Sequence, residues 1–389
     1  MKKVLCFAAG AFATSFLACS MSAQGQSQAD HPKLSGYHLT IPWSATAASN
    51  AAGHGKPGGG GTGGNPSTGI PTSTYSITAT KDGATYAGTL VGNSAFGTAS
   101  SSTISTVIVP LAITIGGVTF DPNAQNPCDG NISALYRLMQ SPLISPASLT
   151  INGSTSTRQY VDAFRSAEFN NGGLSNTLSP VNVATTPALS AGRSGTLYSS
   201  GCTQLGIVSN SWITNEINTI LPTLAGVSPS TFVIFLTDNV VQSTTNPPSV
   251  NNCCILGFHS ALGNPAITYA IADWDTTGDF GSGTADASIA SHEIGEWMDD
   301  PFGNNPTPAW GGIGQVSSCQ NNYEVGDPLS GTLMPAITAS GYSYHLQELA
   351  FFSWFFNNTG TPSLGVGGKF SSNGTFNGPS KACPPGGTN

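Results

Sequence analysis

Charged side chains are scarce in this 389-residue sequence. Lys, Arg, Asp and Glu make up 8% of it, against roughly 25% in typical soluble proteins. With only 11 Lys and Arg residues and a formal net charge of -8, the chain lacks the clustered cations that nucleic acids select. We therefore exclude a nucleic-acid partner.

Long apolar runs are missing as well. Beyond the N-terminus no stretch approaches the roughly 20 apolar residues of a membrane-spanning helix, which excludes an integral membrane protein. Hydrophobic residues still make up 39% of the chain, and 48 glycines add to them, so a core can form. The length suits one large domain or two small ones.

The first 23 residues have the pattern of an export signal. Lys2 and Lys3 form a basic start, residues 4–18 are an apolar run of the length of a signal core, and small residues follow at 20–23. We therefore predict a signal peptide over residues 1–23 and a secreted or extracytoplasmic protein.

Eight cysteines are present, and Cys6 and Cys19 lie in the expected signal. The other six form an even set in an oxidising compartment, which favours disulfides. No CxxC spacing occurs, which argues against a cysteine-based zinc site. Cys253 and Cys254 are adjacent and would close a strained ring, so we expect each to bond elsewhere. The six are Cys128, Cys202, Cys253, Cys254, Cys319 and Cys383.

Composition divides the rest of the chain into a linker and a folded part. Residues 24–74 are mainly Ala, Gly, Ser, Pro and Thr, with little apolar surface to offset the entropy of ordering. We expect them to form a flexible linker or a pro-segment. We expect residues 75–389 to form one domain, with a β-rich part over 75–205 and a metal-site part over 206–389.

The apolar pattern within the folded part predicts its elements. Alternating apolar residues from Tyr75 onward indicate strands, with turns at Asp82-Gly83 and Gly116-Gly117. Weakly periodic residues 141–205 indicate loops and short strands. Helices are expected over 132–140, 211–221 and 287–300, the last ending before Pro301, and buried strands over 231–241, 255–262 and 266–274.

The last expected helix carries the motif SHEIGEWMDDP. It places His292 and Glu296 at positions i and i+4 on one face, with Glu293 about 100 degrees round. In a zincin helix two such side chains hold the metal ion, and the Glu beside the first activates the attacking water. The usual second His is replaced here by Glu296, an acceptable zinc ligand that lowers the Lewis acidity of the ion. A partly buried acidic helix held by turn N–H groups is the alternative interpretation.

Acidic residues concentrate around this motif. Six of the 19 in the chain fall within the 36 residues from His292 to Asp327. Asp299 and Asp300 crowd the C-terminal end of the expected helix, where the macrodipole disfavours anions, so they need a cation, a metal ion or N–H partners. Glu324 and Asp327 follow at the distance at which many zincins supply their third ligand.

The motifs SHEIGEWMDDP and YEVGDP together resemble the secreted group of plant EXORDIUM or phosphate-induced proteins and their bacterial relatives. The resemblance covers about residues 230–330, with CCILGFH at 253–259 as a looser match, and Asp299 stands where that group usually has Thr. It implies an α+β fold, a zincin-like mixed sheet with an active-site helix, plus a β-rich N-terminal portion. The matching residues are His292, Glu293, Glu296, Asp300, Pro301, Glu324 and Asp327.

The resemblance also implies the metal ligands. His292 and Glu296 are expected to bind the ion, with Glu324 as the third ligand and Asp300 as the competing candidate. Asp327 is expected to hydrogen-bond the other ring nitrogen of His292 and fix its tautomer.

Catalytic roles follow from the same expectation. Glu293 is expected to be the general base, and His345 or Tyr344 to stabilise the oxyanion. His259 lies in an apolar expected strand, as a core or cleft-lining residue or as an alternative ligand.

Two functions are compatible with these expectations. The first is a secreted zinc metalloendopeptidase that hydrolyses extracellular protein or peptide bonds with water activated by the metal ion. The second is a non-catalytic extracellular or cell-surface binding protein that retains a zincin-like fold, for which HExxE in place of HExxH is the argument. Zinc is the expected cofactor, and an extracellular protein or peptide is the expected partner.

Overall fold

The computed structural model describes residues 66–151, 154–199, 202–356 and 383. The expected signal peptide and the expected linker up to residue 65 lie outside the described residues. The described chain is a mixed α/β protein with four α-helices and twenty strands in seven sheets. None of the helices that it describes is both long and apolar enough to cross a membrane.

The elements have the following bounds. The strands are β1 Thr72–Thr78, β2 Thr85–Val91, β3 Ser100–Pro110, β4 Ala112–Ile115, β5 Val118–Phe120, β6 Ala147–Ile151, β7 Ser154–Arg158, β8 Leu174–Val183, β9 Ala188–Ser190, β10 Gly195–Ser199, β11 Gln204–Ser209, β12 Thr231–Asp238, β13 Val240–Ser243, β14 Cys253–Ile255, β15 Gly257–Leu262, β16 Ile267–Trp274, β17 Pro306–Ile313, β18 Val316–Asn322, β19 Ile337–Ala339 and β20 Tyr342–Tyr344. The helices are α1 Ala134–Gln140, α2 Tyr160–Glu168, α3 Asn210–Ile220 and α4 Ser288–Asp299.

A five-stranded sheet forms the centre, in the order β15-β16-β12-β3-β8. β16, β12, β3 and β8 run parallel to their neighbours, and β15 joins antiparallel at one edge. Every residue of β12 is buried, which explains its continuous apolar run, because a parallel strand is covered on both faces. The sheet draws strands from both 75–205 and 206–389, so the two parts share one core.

The remaining strands form smaller sheets around this centre. A four-stranded sheet has the order β10-β11-β13-β14, and a three-stranded sheet has the order β5-β4-β9. Four hairpin-like pairs complete the set: β1 with β2, β6 with β7, β17 with β18, and β19 with β20.

Alternate residues of β12 point to opposite faces of the sheet. Phe232 packs in the larger hydrophobic cluster, which contains Trp297 of α4, and the two rings stack with centroids 3.5 Å apart. Val233 packs in the second cluster together with Ile213 of α3. The sheet therefore has α4 on one face and α3 on the other.

Helix α4 is buried along its whole length, including its charged residues. Ile289, Ile294 and Met298 each belong to the larger hydrophobic cluster. A helix that is buried on every side is stabilised by packing in the core rather than by an exposed polar face. It ends at Asp299, before Pro301, as predicted. This burial carries His292 and its acidic neighbours into the interior.

Several expected elements are confirmed. The turns at Asp82-Gly83 and Gly116-Gly117 join β1 to β2 and β4 to β5. Helix α1 begins later than expected, because the Ser133 hydroxyl accepts the Tyr136 N–H and caps it. Helix α3 matches its expected range within one residue at each end.

Two expectations about extent need correction. Helix α2 lies within residues 141–205, where only loops and short strands were expected; eight of its nine residues are buried, so its polar side chains lie inside the protein. The folded part also includes residues before 75, since Gly69 N–H donates to Pro229 C=O and β1 starts at Thr72.

The disulfides differ from expectation at one pair. Cys128 pairs with Cys202, and Cys319 pairs with Cys383. Cys253 and Cys254 were expected to bond elsewhere, and the structure instead joins them to each other across a cis peptide bond, with Cα atoms 3.0 Å apart. The expectation was wrong because the other four cysteines beyond the expected signal peptide form two disulfides with one another.

Candidate metal centre

Helix α4 supplies the first two side chains of the site. Its pitch places His292 and Glu296 one turn apart, and His292 Nε2 lies 3.0 Å from Glu296 Oε1. Both residues are fully buried. The pairing follows the sequence prediction for this helix.

The segment after β18 brings acidic groups to this pair. Gly326 N–H donates to Glu296 Oε1 at 3.2 Å, and Asp327 Oδ1 lies 3.6 Å from His292 Nε2. Asp327 is held in place by the amides of Gln315 and Gln320, which donate to its two oxygens. His292, Glu296 and Asp327 thus form one compact donor group, with ligand atoms within 4.8 Å of one another.

Gln347 fixes the ring of His292. Its amide nitrogen donates to Gly326 C=O at 2.9 Å, and the amide contacts His292 Nδ1 through both of its polar atoms, Oε1 at 3.1 Å and Nε2 at 2.9 Å. In the tautomer with the hydrogen on Nδ1, Oε1 accepts that hydrogen and Nε2 of His292 presents a lone pair toward Glu296 and Asp327. Nε2 has no hydrogen-bond partner despite its short distance to Glu296.

Asp327 and Glu324 therefore do not have their expected positions. Asp327 was expected at the other ring nitrogen of His292, but Gln347 occupies that side and Asp327 faces Nε2. Glu324 was expected as the third ligand with His292. It groups instead with His259 and Glu296, its Oε2 lying 4.0 Å from His259 Nε2.

His259 reaches the site from β15, at the edge of the central sheet. Its Nε2–H donates to Asp300 C=O at 3.0 Å, so its Nδ1 carries the lone pair. That Nδ1 lies 3.6 Å from Glu293 Oε2 and 3.7 Å from Glu296 Oε2. Burial lowers the pKa of His259 to about 4, so its ring is neutral at pH 7.

Glu293 faces the same space. Its side chain is fully buried, and neither carboxylate oxygen has a hydrogen-bond partner. It fits only because residue 257 is a glycine: a Cβ there would lie 2.8 Å from both Cγ and Oε1 of Glu293. Burial raises the pKa of Glu293 well above its ordinary value, as expected for a carboxyl group removed from water.

The donor set fits a divalent metal ion. Burial raises the pKa values of Glu293, Glu296 and Glu324, and neighbouring carboxylates raise them further. Buried like charges without a cation are costly, and imidazole nitrogen with carboxylate oxygen suits zinc and similar transition ions. The buried polar atoms here without a hydrogen-bond partner are His259 Nδ1, His292 Nε2, both oxygens of Glu293, Glu296 Oε2 and Glu324 Oε2.

Asp300, the competing candidate for the third ligand, and its neighbour Asp299 both have structural partners. The two oxygens of Asp300 accept the backbone N–H groups of Asn304 at 2.9 Å and Asn305 at 2.8 Å, so Asp300 caps the turn after α4 rather than offering a free ligand atom. Asp299 forms an ion pair with Arg165 at 2.8 Å, both side chains being fully buried.

The expected oxyanion donors belong to a different neighbourhood. His345 Nδ1 pairs with Asp286 Oδ2 at 2.7 Å. The guanidinium of Arg137 stacks over the ring of Tyr344, 5.0 Å from its centroid. Neither residue belongs to the two donor groups.

Two residues that support the site, Gln347 and Gly326, were not predicted from the sequence. Gln347 lies in no motif, and its role depends on a chain reversal that brings it beside α4. Gly326 was within reach, because a glycine between Glu324 and Asp327 is a signal of close backbone approach.

Comparison with known proteins adds no relative. No protein-family profile, curated protein or solved structure matches this chain. The resemblance to the EXORDIUM group, and the zincin-like details of the fold, therefore stay predictions.

Proposed function

We propose that this protein is a secreted metal-dependent hydrolase that cleaves peptide bonds. The observation that carries the proposal is the meeting of His292 Nε2, Glu296 and Asp327 in one buried group, beside a glutamate, Glu293, whose oxygens have no hydrogen-bond partner. A divalent ion, zinc by preference, would be held by these three residues and would supply Lewis acidity to a carbonyl and to the attacking water.

The residues of the chain have separate tasks in this proposal. Gln347 contacts Nδ1 of His292 and keeps the ring oriented with Nε2 toward Glu296 and Asp327, and Gly326 N–H holds the Glu296 carboxylate. Glu293, adjacent to the ligands and raised in pKa by burial, takes the proton from the attacking water and passes it to the leaving amine.

A peptide substrate is favoured by the edge of the central sheet. Among the described residues β15 pairs only with β16, so its outer edge is open to an extended chain, which can add as a further strand. Residues 259–262 of β15 are half-buried, and the Glu324 side chain is 12% exposed. A peptide bound along β15 would pass His259.

The test is Glu293→Gln in the full chain. We expect hydrolysis of an unfolded protein to fall by about 10²- to 10⁴-fold, because the base is lost, while metal content measured by mass spectrometry stays unchanged. Glu216→Gln on α3 is the matched control and should retain full activity. Purified protein that binds no divalent metal ion, or unchanged hydrolysis by Glu293→Gln, would overturn the proposal.

The non-catalytic binding protein is the second candidate. It is favoured by the burial of His292 and Glu296, both fully inaccessible. Stoichiometric metal that raises the melting temperature, with no hydrolysis of unfolded proteins, would support this candidate.

A further inference from the structure

The carboxylate of Glu296 serves two donor groups at once. Its Oε1 accepts the Gly326 N–H and lies 3.0 Å from His292 Nε2. Its Oε2 lies 3.7 Å from His259 Nδ1 and has no hydrogen-bond partner. Glu296 thus belongs both to the group with His292 and Asp327 and to the group with His259 and Glu324.

His259 is oriented as a ligand of the second group. Its side chain is 4% exposed, and Nε2–H is held by Asp300 C=O, so the Nδ1 lone pair is aimed at Glu293 and Glu296 with no hydrogen-bond partner. Histidine ligands of metal ions usually donate their other N–H to a carbonyl or carboxylate in this manner. A buried and oriented imidazole with an unused lone pair is an independent sign of a ligand beside the acidic residues.

One divalent ion leaves part of this region without a partner. Four carboxyl groups surround the two histidines, those of Glu293, Glu296, Glu324 and Asp327. The arginine ion pairs in the described part of the chain go elsewhere, to Asp129, Asp162 and Asp299. An ion held by His292, Glu296 and Asp327 would leave His259 Nδ1 and Glu324 Oε2, both buried, without a hydrogen-bond partner or a metal ion.

We propose that a second divalent transition-metal ion binds between His259, Glu296 and Glu324, so that the Glu296 carboxylate bridges two ions. The inference rests on the proposed function, because it takes the ion at His292, Glu296 and Asp327 as the first of the pair. Paired metal sites with a shared ligand hold their ions about 3.5–4 Å apart, which suits two groups joined by one carboxylate. Imidazole and carboxylate together select ions such as Zn²⁺ or Mn²⁺.

The second ion changes the neighbourhood of Glu293. Its Oε2 lies 3.6 Å from His259 Nδ1, so it borders the second position as well as the first. The proton-accepting carboxylate would then lie beside both ions.

Metal stoichiometry tests the inference. The full chain is stripped with a chelator, reloaded with Zn²⁺, dialysed and measured by mass spectrometry. We expect two equivalents in the wild type and one in His259→Gln, which keeps a side-chain N–H donor but loses the imidazole lone pair. His345→Gln is the matched control and should keep two. One equivalent in both the wild type and His259→Gln would overturn the second site and leave the proposed function standing, whereas no metal at all would overturn both.

Mn²⁺ loading gives a readout that does not depend on activity. Two ions bridged by Glu296 are magnetically coupled, so we expect the electron paramagnetic resonance spectrum of the wild type to differ from that of an isolated Mn²⁺ ion. Glu324→Gln, which keeps size and removes one ligand charge, serves if His259→Gln fails to fold. Appearance of the isolated-ion spectrum in either folded variant supports the bridge, and an isolated-ion spectrum in fully loaded wild-type protein contradicts it.

Discussion

Gly326 lies flat against the imidazole ring of His292. A Cβ at residue 326 would lie 2.6 Å from both Cγ and Nδ1 of that ring, closer than real Cβ contacts. The φ of Gly326 is -82°, which any residue can adopt, so the glycine is required by the close approach and not by the backbone conformation. This contact lets the segment that carries Glu324 and Asp327 close on α4.

Gly326→Ala should therefore weaken metal binding without preventing folding. The added methyl group must move either the His292 ring or the segment, which separates Asp327 from His292 and Glu296. We expect affinity for Zn²⁺ to fall by at least about tenfold, the size of effect seen when the supports of a metal ligand are disturbed. Isothermal titration calorimetry measures it. Gly172→Ala is the control, because a Cβ there meets nothing within 4 Å; equal affinities in the two variants would refute the role of the contact.

Gln347 should also affect metal binding, through its contact with Nδ1 of the same His292 ring. Gln347→Ala removes the amide that contacts His292 Nδ1, so the ring is no longer held with Nε2 toward Glu296 and Asp327. We expect a loss of Zn²⁺ affinity of about 10- to 100-fold. Competition with a zinc chelator provides the measurement.

The control for Gln347→Ala is Gln125→Ala. Gln125 is exposed, so its loss should leave the affinity unchanged. An unchanged affinity in Gln347→Ala would show that the ring orientation is set without the amide.

The sequence predicted helix α4 well, because both the 3.6-residue period and the stop before Pro301 are local properties. It predicted the supporting residues poorly. Which of Glu324 and Asp327 faces His292 depends on the path of the chain over the ring, and that path is set by Gly326 and by hydrogen bonds to Gln347, 55 residues after His292. Helix α2 was missed because it is buried on nearly every side, so its polar residues mark internal pairs rather than an exposed face.

The buried ion pair of Arg165 and Asp299 should be a large stability determinant. Both side chains are fully buried, and Arg165 also donates to Val91 C=O. Arg165→Met leaves the Asp299 charge without its partner in the interior, which typically costs about 3–5 kcal/mol of unfolding free energy. Urea denaturation measures the loss.

Two further variants separate the pair from a general effect. Arg193→Met at an exposed position should change stability by less than about 0.5 kcal/mol. The double variant Arg165→Met, Asp299→Asn should recover part of the loss, because it removes the unpaired charge. If the loss of unfolding free energy in the double variant equals the sum of the losses in Arg165→Met and Asp299→Asn, the ion pair is not the cause.

His345 should contribute stability that depends on pH. Its hydrogen bond with Asp286 raises the pKa of His345 above the ordinary value of 6.5, and burial opposes the shift. Because the folded-state pKa is raised, this contribution is fully present below the unfolded-state pKa and is lost as the pH rises through the folded-state pKa. The His345 side chain is 39% exposed, so solvent screening keeps the effect below about 1 kcal/mol.

The corresponding measurement compares wild type with His345→Gln by urea denaturation across pH 5 to 9. We expect the unfolding free energy of the wild type to exceed that of the variant most at low pH. The difference should shrink toward high pH, as His345 loses its proton. Asp286→Asn removes the carboxylate and should abolish this dependence while keeping a similar shape. A stability difference that stays constant with pH, or that grows as the pH rises, would mean that His345 is not held in its charged form by Asp286.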